Sequence, residues 1–240
     1  MSRPNSARAR PRHAAGMTLL ELLIAMALLA VVLALTYGSF FQLSDAAAGL
    51  KAELAEQQEL RLLLKLIADD LQAAQYLEGY AANGDRRSGI VARTHFVGRG
   101  EFTEINFHVA APARFHRQRP PEADPGLHEA GYAVREDLAA NTLTLVRRED
   151  YYLDPDLETG GVTVVLTRDV ETFSIGFLGP AEASNPTQDR WEREWDSQTR
   201  PKDARMPRAV RISLGVMGKD GKPLRATLEV NLQSVLKVGQ

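Results

Sequence analysis

The sequence predicts an α+β fold in which one long N-terminal helix packs against antiparallel β-sheets. The first observation is that no proline occurs between Met17 and Tyr80, where leucines recur at helical spacing. The second is that apolar residues beyond residue 85 recur at every second position, as in strands with one buried face. Because helix and strand patterns do not alternate along the chain, we expect antiparallel strands rather than βαβ units.

The first half of the predicted helix is apolar enough to cross a membrane. Every residue from Leu22 to Leu35 is apolar, and a helix from Met17 to Leu35 would span roughly 28 Å, close to the thickness of the hydrocarbon core. We therefore predict a transmembrane and assembly helix over residues 17–38. Glu21 lies within this span, where a carboxylate costs about 2.5–3.5 kcal/mol. That cost indicates a functional role; the alternative is a polar residue tolerated near a helix end.

Residues 1–16 form a short basic leader that is predicted to be removed. The leader contains four arginines and no acidic residue, so the positive-inside rule predicts that it stays in the cytoplasm. The small residues Ala14 to Gly16 precede the apolar run, whereas the cleavage site of an ordinary secretory signal follows it. Two alternatives remain open here: removal of a conventional signal peptide at Ala46–Ala48, and an uncleaved single-pass anchor.

The second half of the helix, residues 39–80, is predicted to be amphipathic and to pack on a globular domain. Gly38, the residue before this half, is predicted to be the weak point of the long helix, because glycine lowers helix stability by about 1 kcal/mol. Gly79 and Asn83-Gly84 are predicted to end the helix. The apolar stripe consists of Leu60, Leu63, Leu64, Ile67, Leu71 and Ala74. The opposite face is predicted to carry Lys51, Glu53, Glu56, Glu59, Arg61, Lys65, Asp69 and Asp70.

The remaining segment, 85–240, is predicted to be an antiparallel β domain. Apolar and polar residues alternate over 102–109, with Glu104, Asn106 and His108 on the polar face. Two alternating segments flank the turn Lys219–Lys222, whose Asp-Gly dipeptide indicates a hairpin. The apolar residues of the predicted strands are Ile105, Phe107 and Val109; Leu143 and Leu145 after a turn at Asn141; Phe173, Ile175 and Phe177; Val210, Ile212, Leu214 and Val216; and Leu224, Ala226, Leu228, Val230 and Leu232.

Two long loops, 112–131 and 179–207, are predicted to interrupt the strands. The first contains Pro120-Pro121 and Pro125 and is expected at the surface. The second contains Trp191 and Trp195, which are predicted to share one face of a short helix packed on the sheet, because residues four apart are neighbours on a helix. The alternative is an exposed aromatic patch that anchors a partner.

Composition limits the possible functions. The 240 residues include 29 basic and 31 acidic ones; removal of the leader's four arginines leaves 25 basic residues and a net charge of −6. This acidity argues against nucleic acid as a partner, because no basic stripe is available to neutralise phosphates. The chain has no cysteine, which excludes a disulfide framework, a cysteine zinc site and a thiol nucleophile.

No catalytic or metal-binding pattern stands out. The five histidines, His13, His95, His108, His116 and His128, lack metal-ligand spacing and are expected to be solvated. Asp150, Asp154 and Asp156 offer clustered oxygens for calcium, but the glycine and distal glutamate of an EF-hand loop are missing, which favours a polar turn. No glycine-rich phosphate loop follows a strand, and no serine lies in an activating motif. We expect no cofactor, no metal and no enzymatic activity.

The start of the chain resembles the class III signal of type IV pilins and pseudopilins. A basic leader ends in Gly16, Met17 follows it, and Glu21 is the fifth residue after the leader. The resemblance implies that a prepilin peptidase and methyltransferase cleaves between Gly16 and Met17 and methylates Met17. It also implies that Glu21 is the assembly carboxylate. Met17 departs from the commoner phenylalanine at this position.

This resemblance gives Glu21 a chemical role. Its carboxylate can pair with the amine of Met17 on its own chain or on a neighbouring one. Among packed apolar helices, that pairing would neutralise two buried charges and fix the axial register between subunits. We therefore predict that Glu21→Ala still inserts and is processed, but does not co-assemble as the unmodified chain does.

The second half of the chain resembles the minor pseudopilin J family of the type II (general) secretion pathway. The resemblance rests on the spacing of Leu166, Val170, Phe173 and Phe177, on the tryptophan-containing loop, and on Met206–Ile212 before the final strand pair. It implies a pilin-like fold with two antiparallel sheets. It also implies a complex with the I and K minor pseudopilins at the tip of a periplasmic pseudopilus, which primes filament growth and promotes export through the outer membrane.

The sequence therefore predicts an assembly subunit anchored once in the inner membrane, with its N-terminus cytoplasmic and its β domain periplasmic. Prepilin peptidase, membrane lipid and the I and K subunits are its expected partners. A minor pilin of a type IV pilus system is the alternative within the same class, because such pilins share the pattern. A membrane-tethered periplasmic enzyme or calcium-binding module is the alternative of a different class.

Overall fold

The computed structural model describes residues 18–78, 88–115, 126–153, 155–179 and 190–232. The chain divides into two units, Met1–Leu54 and Ala55–Gln240. The helix α1, Leu19–Gln72, contributes residues to both units. The strands are β1 Ala74–Gln75, β2 Ile90–Val97, β3 Gly100–Val109, β4 His128–Asp137, β5 Thr142–Asp150, β6 Val162–Thr167, β7 Val170–Leu178, β8 Trp191–Glu192, β9 Trp195–Asp196, β10 Ala209–Met217 and β11 Pro223–Asn231.

One long helix combined with antiparallel sheets confirms the predicted α+β class. The described strands form two sheets. The larger has the order β6-β5-β4-β3-β2-β9, with β1 paired to the end of β3, and the smaller has the order β11-β10-β7-β8. Every described strand pair is antiparallel. The predicted apolar alternation of β3, β5, β7, β10 and β11 is therefore confirmed as strand structure.

In the second unit, the predicted apolar stripe of α1 packs into the core. Leu60, Leu64, Ile67 and Leu71 are at most 4% exposed. They belong to one hydrophobic cluster with residues of both sheets, such as Phe107 and Phe173. The second unit thus has a single core between the helix and the two sheets.

The end of α1 corrects the prediction that the helix runs to residue 80. The helix ends at Gln72, and the next residues, Ala74 and Gln75, pair with Val109 and His108 of β3. The Ala110 amide then donates to the Ala73 carbonyl at 2.8 Å. The backbone groups that would have continued the helix are used by the sheet instead. The predicted terminators Gly79 and Asn83-Gly84 lie outside the described residues.

Both long loops are shorter than predicted. The end of the predicted loop 112–131 belongs to strand β4, which begins at His128. Residues 128–132 pair with β3. The segment 179–207 contains β8, β9 and a 3₁₀ helix at Lys202–Ala204. Residues 116–125 and 180–189 are not among those described.

The final hairpin has the predicted register. Val210, Ile212, Leu214 and Val216 of β10 lie opposite Val230, Leu228, Ala226 and Leu224 of β11. At the turn, the Gly218 amide donates to the Lys222 carbonyl at 2.8 Å, and Gly221 has φ of 76°. A left-handed backbone at this position is why the turn uses glycine.

Candidate assembly site and buried polar network

The carboxylate of Glu21 closes the first turn of α1. Its Oε2 accepts from the Thr18 amide at 3.3 Å and from the Thr18 hydroxyl at 3.4 Å. In return, the Glu21 amide donates to Thr18 Oγ1 at 3.3 Å. This reciprocal pair is a capping box, in which residues three apart satisfy amides that have no partner inside the helix.

In this geometry Glu21 stabilises the start of α1, and its carboxylate remains exposed. A carboxylate in the first helical turn is stabilised by the positive end of the helix dipole. Both Thr18 and Glu21 are exposed, so the carboxylate can accept a further donor. Gly16 and Met17, the predicted cleavage and methylation residues, lie outside the described residues. The pairing of Glu21 with the Met17 amine therefore stays a prediction.

The helix that follows Glu21 is apolar and exposed. Leu22, Leu28, Val32 and Leu35 are between 48% and 68% exposed. By length and composition, α1 is the one helix among the described residues that could cross a membrane. An exposed apolar helix is costly in water and suited to lipid or to packing against other helices.

The second unit contains a buried polar network that the sequence reading missed. Asp70 was predicted on the solvent face of the helix, yet it is 1% exposed. It accepts from the Tyr132 hydroxyl at 2.6 Å and from Nε of Arg147 at 2.8 Å. One signal was available in the sequence: Asp70 lies three residues after Ile67 and seven after Leu63, which places it on the apolar face.

Arg147 joins the two carboxylates of this network. Its side chain is fully buried, and its Nη1 donates to Glu149. Glu149 also accepts from the amides of Arg114 and Phe115, at 3.0 and 2.8 Å. These contacts tie α1, β4, β5 and the segment after β3 together. Burial of charge is tolerated here because each charged group has charged and hydrogen-bonded partners.

Two histidines correct the expectation that all five are solvated. His108 is 0% exposed and His128 is 1% exposed. Nδ1 of His128 lies 2.8 Å from the Ala111 carbonyl, and Nε2 lies 3.5 Å from Nη2 of Arg147. Because a carbonyl only accepts and a guanidinium only donates, these contacts define a neutral ring with the proton on Nδ1. His95 is partly exposed beside Glu104, whereas His13 and His116 lie outside the described residues.

The pKa values of the network follow from burial and from the charged neighbours. Burial, reinforced by the Arg148 guanidinium, lowers the pKa of His108 from 6.5 to about 4. Burial also lowers the pKa of His128, although the Ala111 carbonyl and Glu149 act against it. Burial acts to raise the pKa of Glu149, but the amides of Arg114 and Phe115 and the Arg147 guanidinium outweigh it and lower the pKa.

The aspartates considered for calcium form local turns. Asp150 Oδ1 accepts from the Tyr152 amide at 2.9 Å, and Asp156 accepts from the Glu158 amide at 3.1 Å and from the Thr159 hydroxyl at 3.1 Å. Asp154 is not among the described residues. Within the part of the chain that the structure describes, no group of three His, Cys, Asp or Glu side chains could hold a metal ion.

The two tryptophans correct the prediction of a short helix. Trp191 lies in β8 of the smaller sheet and Trp195 in β9 of the larger one, so the segment between them crosses from one sheet to the other. Trp195 is 1% exposed and its Nε1 donates to the Arg205 carbonyl at 2.9 Å. The Arg211 guanidinium stacks 4.0 Å from the ring centre of Trp191. The packing interpretation is right for Trp195, but the local structure is strand.

Comparison with known families matches two consecutive segments of the chain. The prokaryotic N-terminal methylation motif matches residues 11–37, the segment that contains the predicted leader junction and Glu21. The family described as type II secretion system (T2SS), protein J, matches residues 38–226, most of the 240-residue chain. No curated protein is similar enough to add to this comparison. The chain therefore belongs to the type II secretion system protein J family, the minor pseudopilins that carry an N-terminal methylation motif.

Proposed function

We propose that this chain joins the I and K minor pseudopilins in the tip complex of the type II secretion pseudopilus. There it primes filament assembly and promotes protein export across the outer membrane. The observation that carries the proposal is the protein J match over residues 38–226, directly after a methylation motif at 11–37. The role is mechanical and interfacial, with no catalytic step.

The proposed topology follows from the charge and hydropathy of the first unit. The basic leader, residues 1–16, stays in the cytoplasm, and prepilin peptidase cleaves between Gly16 and Met17 and methylates Met17. The apolar part of α1 spans the inner membrane once, and the β domain within residues 85–240 lies in the periplasm. The exposed apolar surface of α1 supports this arrangement, because only lipid or neighbouring helices would cover it.

Glu21 supplies the contact that fixes subunit register. After cleavage, the methylated amine of Met17 adjoins Thr18, whose amide and hydroxyl contact the Glu21 carboxylate. The capping box holds that carboxylate at the helix start, where the amine of the same or a neighbouring subunit can reach it. Pairing cancels one positive and one negative charge among apolar helices, which favours a single axial register.

Purification of partner subunits tests this role. We expect Glu21→Ala to insert in the membrane and to be processed, but to lose copurification of the I and K pseudopilins from detergent-solubilised membranes. Glu53→Ala, which removes another exposed acidic residue of α1, is the matched control and should retain both partners. Wild-type recovery of both partners with Glu21→Ala would contradict the register role.

A further inference from the structure

The unbroken apolar run of α1 is shorter than a bilayer. Residues 22–35 number 14 and rise roughly 21 Å as a helix, whereas the hydrocarbon core is about 30 Å thick. The span must therefore extend beyond this run. An N-terminal extension to Met17 places Glu21 in hydrocarbon. A C-terminal extension to Phe41 gives residues 22–41, which contain no charged residue and rise about 30 Å.

Thr36 does not stop the C-terminal extension. Its hydroxyl donates to the Val32 carbonyl of the preceding turn at 2.7 Å. A hydroxyl that is satisfied inside the helix needs no water partner, so it is tolerated in an apolar environment. The first charged residue after Glu21 is Asp45, and the polar residues Gln42 and Ser44 come just before it.

Three aromatic residues mark the end of the extended span. Tyr37, Phe40 and Phe41 are 62%, 63% and 61% exposed. At about 100° per residue they fall within one sector of roughly 100° on the helix surface. The rings of Phe40 and Phe41 meet edge to face with centroids 6.1 Å apart. Tyrosine rings concentrate at the level of lipid headgroups, and phenylalanine rings on interfacial helices bury at the boundary between headgroups and acyl chains.

The other end of the span is polar and already hydrogen-bonded. The capping box of Thr18 and Glu21 satisfies amides at the start of α1. A carboxylate engaged with the helix start is better placed at the membrane boundary than in hydrocarbon, because water can supply the remaining hydrogen bonds. Both ends of the helix therefore favour the same register.

We propose that Tyr37, Phe40 and Phe41 form an aromatic anchor at the periplasmic lipid–water interface. In this register residues 22–41 span the inner membrane and Glu21 lies at the cytoplasmic boundary. The aromatic anchor contacts the lipid headgroups of the periplasmic leaflet. This occupant follows from position, because the three residues directly continue the apolar helix that spans the membrane. The inference rests on the proposed membrane topology and changes the predicted span, 17–38.

Thiol labelling distinguishes the two registers, because the chain contains no cysteine. Ser39→Cys and Ser44→Cys are a matched pair of conservative substitutions on either side of the proposed boundary. In spheroplasts that lack the other pseudopilins, a membrane-impermeant maleimide should label Ser44→Cys. It should not label Ser39→Cys, because residue 39 lies within the proposed span. Equal labelling of the two would overturn the proposed register, because a span that ends at Leu35 or at Gly38 exposes both.

A second variant tests whether the aromatic side chains set the boundary. In a Tyr37→Ala, Phe40→Ala, Phe41→Ala background, Ser39→Cys should become labelled. Phe96→Ala, which removes an exposed aromatic ring of β2, is the control and should leave Ser39→Cys protected. Unchanged protection in the triple variant would overturn the anchor. Failure of Ser44→Cys to react until the membrane is permeabilised would instead overturn the topology itself.

Discussion

At the scale of single residues, Arg147 makes the most consequential contacts of the second unit. Its guanidinium binds Asp70 of the helix and Glu149 of the same strand, and all three side chains are at most 1% exposed. Removing one member of a buried ion network leaves the others charged and without compensation. The stability of the fold therefore depends on Arg147 more than on any of the exposed ion pairs described.

Arg147→Met should lower the free energy of unfolding by about 3–5 kcal/mol, because Asp70 and Glu149 lose the buried guanidinium that they share, and only the partly exposed Arg114 remains beside Asp70. Urea unfolding of the full chain in detergent, followed by tryptophan fluorescence, measures this, since Trp191 and Trp195 both lie in the second unit. Lys65→Met removes the exposed pair with Asp69 and should cost less than about 1 kcal/mol. Equal urea midpoints for the two variants would contradict the role of the network.

The buried histidines make the second unit sensitive to acid. In the unfolded chain His108 and His128 titrate near 6.5, and both pKa values are lower in the folded protein. Protons therefore bind the unfolded state more tightly. The contribution of these histidines to the free energy of unfolding is fully present above pH 6.5 and is lost as the pH drops toward 4. The lowered pKa of Glu149 adds a further loss below its ordinary value of 4.5.

The free energy of unfolding should fall by roughly 2 kcal/mol between neutral pH and pH 5 from His108 alone. The same fluorescence measurement in urea, repeated across this pH range, checks the slope. His108→Gln should flatten it. A free energy that does not vary over this range would show that the two rings are not kept neutral by folding.

At the scale of elements, the β10–β11 hairpin depends on one backbone conformation. Gly221 has φ of 76°, and a Cβ placed there would meet no atom within 4 Å. A substitution is therefore limited by the left-handed backbone alone and not by space. A loss of stability on substitution of Gly221 therefore measures backbone strain in the turn and not a steric clash.

Gly221→Val should destabilise the second unit by about 1–2 kcal/mol, because a β-branched residue resists the left-handed region. Gly221→Asn should cost less, because asparagine tolerates that region. Thermal unfolding by tryptophan fluorescence ranks the two variants. If valine and asparagine lowered the transition temperature equally, the turn conformation would not be the limiting factor.

At the scale of the whole molecule, the two units meet different demands. The side chains described in residues 18–54 are exposed along the helix, whereas the second unit has a continuous core. The first unit therefore needs a covering surface, for which we propose lipid or partner helices, whereas the second is completed by its own packing. Processing at the proposed leader junction, which lies in the first unit, should not depend on the β domain.

Gly16→Leu should block cleavage, because a side chain next to the scissile bond crowds a site that accepts glycine. Mass spectrometry of the membrane-extracted chain should find Met1 or the intact leader in this variant, and N-methylated Met17 in the unmodified chain. Ala14→Ser, two residues away, is the control and should be processed. Removal of the leader from Gly16→Leu would contradict the proposed cleavage site.

Much of the fold was predictable because its signals are local. The apolar run after Glu21 and the alternation in β3, β7, β10 and β11 depend only on neighbouring residues, and each is an element of the structure. The end of α1, by contrast, was placed eight residues too late, at 80 instead of Gln72. The helix ends there because Ala74 pairs with Val109 of β3. The periodicity of apolar residues carries no information about such a long-range pairing.

The amino-acid sequence by itself determined the apolar helix, the methylation motif and the class of fold, because hydropathy and spacing act over a few residues. Only the tertiary structure decided which polar groups are buried. Asp70 meets Tyr132 and Arg147 across 62 and 77 residues of chain. The strands of Trp191 and Trp195 likewise depend on partners in two different sheets. Burial of a charge is tolerated only when its partner is present, and folding alone brings these distant partners together.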